Sequence, residues 1–126
     1  MWAGWSAVTS LSYVGEAPTA LQPVAAIVPV VSLSAVWAVI AGVLLIGAVL
    51  PPRPGLVGAV GRVARGGGIT LVAAALAAWA STYFIDSFVD GGRMWVSGKN
   101  YAALAVAAAV SAMLIARDKG PHIEEG

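Results

Sequence analysis

The sequence has no cysteine, which removes disulfide frameworks, thiolate metal sites and cysteine nucleophiles together. It has one histidine, His122, next to Pro121 and close to two glutamates, where it reads as a residue of a polar tail rather than a ligand. Charge is scarce: 10% of residues are charged, against roughly 25% in a soluble domain. Seven basic and six acidic residues leave a formal charge of +1, so no basic field exists to gather nucleic acid. The chain also lacks a nucleophile–base pair, a phosphate-binding glycine loop and zinc-ligand spacing. No catalytic, cofactor-binding or metal-binding residue is assigned, and enzyme chemistry is not expected.

What remains is apolar. Of 126 residues, enough for a single domain, 60% are hydrophobic and another 15 are glycine. The mean hydropathy is +0.87. Such a chain cannot cover a water-facing surface in the usual way, and the bilayer becomes its main solvent.

The few charges mark where the chain would enter and leave that solvent. Three charge-free stretches separate them, at 17–52, 66–85 and 100–116. In the first, Pro18, Pro23 and Pro29 break helix. The run VSLSAVWAVIAGVLLIGAVL then continues to Leu50, where Pro51, Pro52 and Pro54 end it, with Ser32 or Ser34 as a candidate cap. The second stretch, ITLVAAALAAWASTYFIDSF, opens after Gly66, Gly67 and Gly68, a flexible start, and closes at the Asp90-Gly91-Gly92 turn. The third, NYAALAVAAAVSAMLIA, is the shortest; Lys99 and Arg117 can lengthen it by snorkelling to the interfaces. The expected fold is therefore all-α: an integral membrane protein with three transmembrane helices at about 30–50, 69–88 and 101–116. Residues 1–28, with Trp2, Trp5 and Tyr13, form an aromatic-rich interfacial segment. Residues 51–68 form a basic cytoplasmic loop, and 117–126 a polar cytoplasmic tail.

Three crossings put Arg53, Arg62, Arg65, Arg117 and Lys119 on one side, against Arg93 and Lys99 on the other. The positive-inside rule then places the N-terminus outside and the C-terminus in the cytoplasm. Trp2, Trp5, Tyr13, Tyr83, Trp95 and Tyr101 all fall on the outer side, where such rings favour the headgroup layer.

Three features bear on function. In the basic loop, Leu56, Val60 and Val63 share one helical face, while Arg62 and Arg65 share another. This amphipathic pattern suits the anionic leaflet, although a loop that merely fixes topology has the same charges. Small residues recur every four positions at Ala73, Ala77 and Ser81 and at Ala103, Ala107 and Ser111, with only Ala38 and Gly42 in the first span. Such spacing lets helix backbones approach closely, either within a hairpin or between chains. Finally, no ionisable residue lies near the middle of a span, which argues against a coupled transporter or an intramembrane enzyme. Asp86 and Asp90, four apart, read as part of an ion-pair cluster with Arg93 and Lys99 at a helix end. Thr70, Ser81, Thr82 and Ser111 are expected to satisfy local carbonyls or to bond across helices.

The three spans, the outside N-terminus and the charged tail RDKGPHIEEG together resemble the three-span holins of bacteriophages. The Ala/Gly/Val-rich style is similar to small membrane proteins of actinobacterial phages. The tail departs from that pattern by mixing Arg117 and Lys119 with Asp118, Glu124 and Glu125. The resemblance implies self-association in the bacterial cytoplasmic membrane and permeabilisation of it. The alternative is a non-lytic accessory protein, a subunit of a membrane complex or a superinfection-exclusion factor, that docks one membrane partner through its small-residue helix faces.

Overall fold

A computed structural model describes residues 1–14, 26, 30–90 and 94–117. Among these residues the chain is all helical: α1 (Trp2–Ser12), α2 (Val30–Val49), α3 (Leu56–Asp90) and α4 (Trp95–Arg117). Pro51 and Pro52 follow the last turn of α2, which the Leu50 N–H closes onto the Ile46 carbonyl at 3.0 Å. Proline cannot donate the next bond, and it disfavours helix in the residue before it. The chain then reverses through Pro54 and Gly55, whose φ of 94° is open to glycine and strained for other residues.

Helices α1, α2, α3 and α4 run alternately up and down. Ser10 of α1 meets Ser34 of α2, and Trp5 stands edge-on to Trp37 at 5.2 Å. Leu50 lies beside Gly61, Leu44 beside Gly68, and Trp37 against Trp79 at 5.7 Å, which makes α2 and α3 antiparallel. Gly98 lies under the Phe84 ring and Tyr101 stacks on Tyr83 at 5.3 Å, closing the α3–α4 hairpin. The core runs along this axis through Leu33, Trp37, Ile40, Leu44, Val72, Leu76, Trp79 and Ala108.

Among the described residues two helices are long and apolar enough to cross a membrane, Leu56–Val89 and Trp95–Arg117, rather than the three expected. The first expected span corresponds to α2, Val30–Val49, whose 20 residues reach about 30 Å; its part over Leu33–Val49 is apolar. The third, expected to be the shortest, instead begins at Trp95 and has 23 residues. In those added turns Gly98 fits against the Phe84 ring, where a Cβ would stand 3.1 Å from the ring edge.

The stretch 51–68, expected as a basic loop, is helical from Leu56 onward, so the helix of the second expected span begins well before residue 69. α3 begins at Leu56 and continues unbroken for 35 residues, about 52 Å. Gly66, Gly67 and Gly68 lie inside the helix, each costing about 1 kcal/mol relative to alanine there. Gly68 has a packing reason: a Cβ would meet the Leu44 side chain at 2.8 Å. Nothing in the structure explains Gly66 and Gly67, whose added Cβ atoms would meet open space.

Candidate functional surface

Residues 2–12, expected as part of an interfacial segment, form α1 and pack along the first half of α2. Two serines join the helices reciprocally. Ser10 Oγ donates to the Ser34 carbonyl and Ser34 Oγ donates to the Ser10 carbonyl, both at 2.9 Å. Ser34 is thus spent between helices rather than as a cap. The rings expected in an outer headgroup belt are largely turned inward. Trp2 and Trp5 are half-buried against the core, Tyr13 is buried, and the Trp79 indole N–H donates to the Tyr13 hydroxyl at 2.8 Å. An indole N–H among apolar side chains needs an acceptor, and a phenol supplies one without introducing charge. Burial pushes the Tyr13 ionisation up, partly offset by the Trp79 N–H, and this keeps the phenol neutral. Trp95 alone of the expected belt is exposed, with Lys99 Nζ 5.3 Å from its ring centroid.

At the other end, Arg65 does something that charge counting missed. Its guanidinium donates to the carbonyls of Gly47 (2.7 Å) and Leu50 (3.2 Å), the last turn of α2. Those carbonyls have no intrahelical partner because Pro51 and Pro52 stop the helix, and a cation there also opposes the negative end of its dipole. The clue in the sequence was a proline-terminated helix followed by arginines, but which arginine turns back depends on the α2–α3 crossing. Replacing Arg65 by glutamine should lower unfolding stability in a detergent titration by about 1–2 kcal/mol, with lysine recovering part of the loss. An unchanged midpoint would show that the cap contributes nothing.

Most of the small-residue stripes lie outside the helix contacts, although Ala73 packs against the core and Ser111 is half-buried. Ala77, Ser81, Ala103 and Ala107 are exposed, and a Cβ at Gly42 would meet nothing. The α3–α4 contact uses Ala80, Phe84, Gly98 and Ala108 instead, one helical step away. The hydroxyls do what was expected locally: Thr70, Ser81, Thr82 and Ser111 bond to the carbonyls of Gly66, Ala77, Trp79 and Ala107 at 2.8–2.9 Å. The exterior is otherwise apolar, with Leu45, Ile46 and Val49 on α2, Leu71 and Ile85 on α3, and Val106, Val110, Met113 and Leu114 on α4 all exposed.

Among the described residues no group of histidine, aspartate and glutamate is arranged to hold a metal. The cluster expected at Asp86, Asp90, Arg93 and Lys99 falls partly outside the described residues, as does His122. Among the described residues the fold presents an apolar exterior with small residues on outward parts of α3 and α4. No family model, curated protein or solved structure matches the chain.

Proposed function

We propose that this chain is a holin-like membrane protein. In this reading it crosses the bacterial cytoplasmic membrane three times, with its N-terminus outside and its C-terminus inside, and self-associates to permeabilise the membrane. The observation that carries the reading is the outer face of α4. Only 11% of its apolar stretch is fully buried, against 39% for α3: α4 packs on one side through Leu104, Ala105, Ala108 and Ala112 and leaves the other side outward. That outward face pairs Val106, Val110, Met113 and Leu114 with the small residues Ala103 and Ala107. Lipid tails suit the former, and close backbone approach by another helix suits the latter. The third crossing in this proposal is α2, Val30–Val49.

The distribution of charge supports the same arrangement. Antiparallel packing gathers Arg53, Arg62 and Arg65 at the end where α2 stops, and carries Arg117 towards it. Asp86, Trp95 and Lys99 lie at the other end.

Inducible expression in a bacterial host tests the function. The expected result is abrupt loss of membrane potential with growth arrest. Continued growth with an intact potential, at a level where the protein is found in the membrane, would overturn it and favour the accessory role. The same outward small-residue faces would then hold a partner protein.

A further inference from the structure

The first five residues of α3, Leu56–Val60, extend past the place where α2 ends. Leu50 lies beside Gly61, and Gly47 beside Arg65, so Leu56–Val60 has no α2 helix alongside it. On a helical wheel Gly58, Gly61 and Arg65 share the face turned to α2 and the Arg53 backbone. Leu56, Val60 and Val63 occupy the opposite face and are exposed, and Arg62 stands on the flank between them. Arg53 is exposed just before the turn.

The three arginines of this segment are not equivalent. Arg65 is engaged by the α2 carbonyls, whereas Arg53 and Arg62 meet no acidic side chain among the described residues. The one acidic side chain that is described, Asp86, lies at the far end of α3. Length makes the same division. α3 spans about 52 Å and a hydrocarbon core is about 30 Å, so more than a dozen residues must leave the core or tilt along its boundary. With Asp86 near one boundary, twenty residues reach Gly66–Gly67, and the segment from Leu56 to Arg65 falls in the headgroup layer of the opposite leaflet.

From this geometry we infer that the start of α3 is an anionic-phospholipid binding surface, with Arg53 and Arg62 holding headgroup phosphates while Leu56, Val60 and Val63 enter the acyl region. The inference rests on the membrane reading above. It adds a lipid preference and names the residues that produce it. A neutral headgroup layer would leave two unpaired guanidinium groups facing zwitterions, whereas an anionic one complements them.

The test is the full chain reconstituted in phosphatidylcholine vesicles carrying trace spin-labelled phosphatidylglycerol or, separately, spin-labelled phosphatidylcholine. The expected result is a motionally restricted component that favours phosphatidylglycerol by roughly fivefold or more. That preference should fall towards equality in 1 M salt and in the double variant R53Q/R62Q. Neither side chain makes a hydrogen bond among the described residues, so the variant should keep its helicity, and the salt series needs no variant at all. Equal association of the two probes, or a preference that survives R53Q/R62Q, would overturn the inference while leaving the membrane reading intact. The absence of any restricted component would instead overturn both.

Discussion

Replacing Gly47 by leucine should drive α2 away from α3 and lower stability by about 3 kcal/mol or more. A Cβ at this position would stand 2.8 Å from the Arg65 backbone nitrogen and 3.1 Å from its Cα. These atoms belong to the middle of a continuous helix, so no rotamer change relieves the overlap. The helices must separate, and the neighbouring approaches of Leu44 to Gly68 and Leu50 to Gly61 open with them. Separation also pulls the α2 carbonyls away from the Arg65 guanidinium, adding the loss of a charge-assisted cap. Gly42→Leu is the matched control, because a side chain there meets open space. Denaturation in a detergent titration, followed by the fluorescence of the packed Trp37–Trp79 pair, reads both variants. If Gly47→Leu unfolds at the same midpoint as Gly42→Leu, the close α2–α3 crossing is wrong.

Ala107 and Ala108 are adjacent in sequence and should behave in opposite ways. Ala108 is fully buried between α3 and α4, so a leucine there overpacks the hairpin and costs about 1–3 kcal/mol. Ala107 is exposed on the outward face, so a leucine there should change folding by less than about 0.5 kcal/mol. Between chains the order reverses. On the proposed function, widening this small-residue face should prevent close approach of a second helix and weaken self-association of Ala107→Leu severalfold. Sedimentation in detergent measures the oligomer, and the unfolding midpoint measures the fold. A normal oligomer in Ala107→Leu would remove this face of α4 from the association.

The α4 pair also shows why the contact surfaces could not be read ahead of the structure. Residues 102–112 contain alanines on every side of the helix, so hydrophobic periodicity has no contrast to report. Spacing alone selected Ala103, Ala107 and Ser111, whereas the face that packs contains Gly98 and Ala108, chosen by where the Phe84 and Tyr101 rings stand. Gly66, Gly67 and Gly68 misled for a related reason. Glycine is a weak helix former in isolation, but a helix supported on both sides tolerates it, and at Gly68 the missing Cβ makes room for Leu44. The aromatic residues were read as interfacial because indole and phenol are amphipathic. Trp79 and Tyr13 satisfy that need by bonding to each other, sixty-six residues apart.

Helical class, the apolar exterior and the clustering of arginines near the α2–α3 turn were all legible in the amino-acid order. Each depends on properties that act locally: transfer free energy of side chains, proline's missing N–H, and the position of charges between apolar runs. Tertiary structure decided that α3 runs on through Gly66–Gly68, which faces meet, and that Arg65 turns back to cap α2 while Arg53 and Arg62 meet no acidic side chain among the described residues. Those outcomes depend on how residues far apart in sequence approach within a few ångströms. In a chain this rich in alanine and glycine, many such approaches are sterically open, and a few large rings and a missing Cβ select among them.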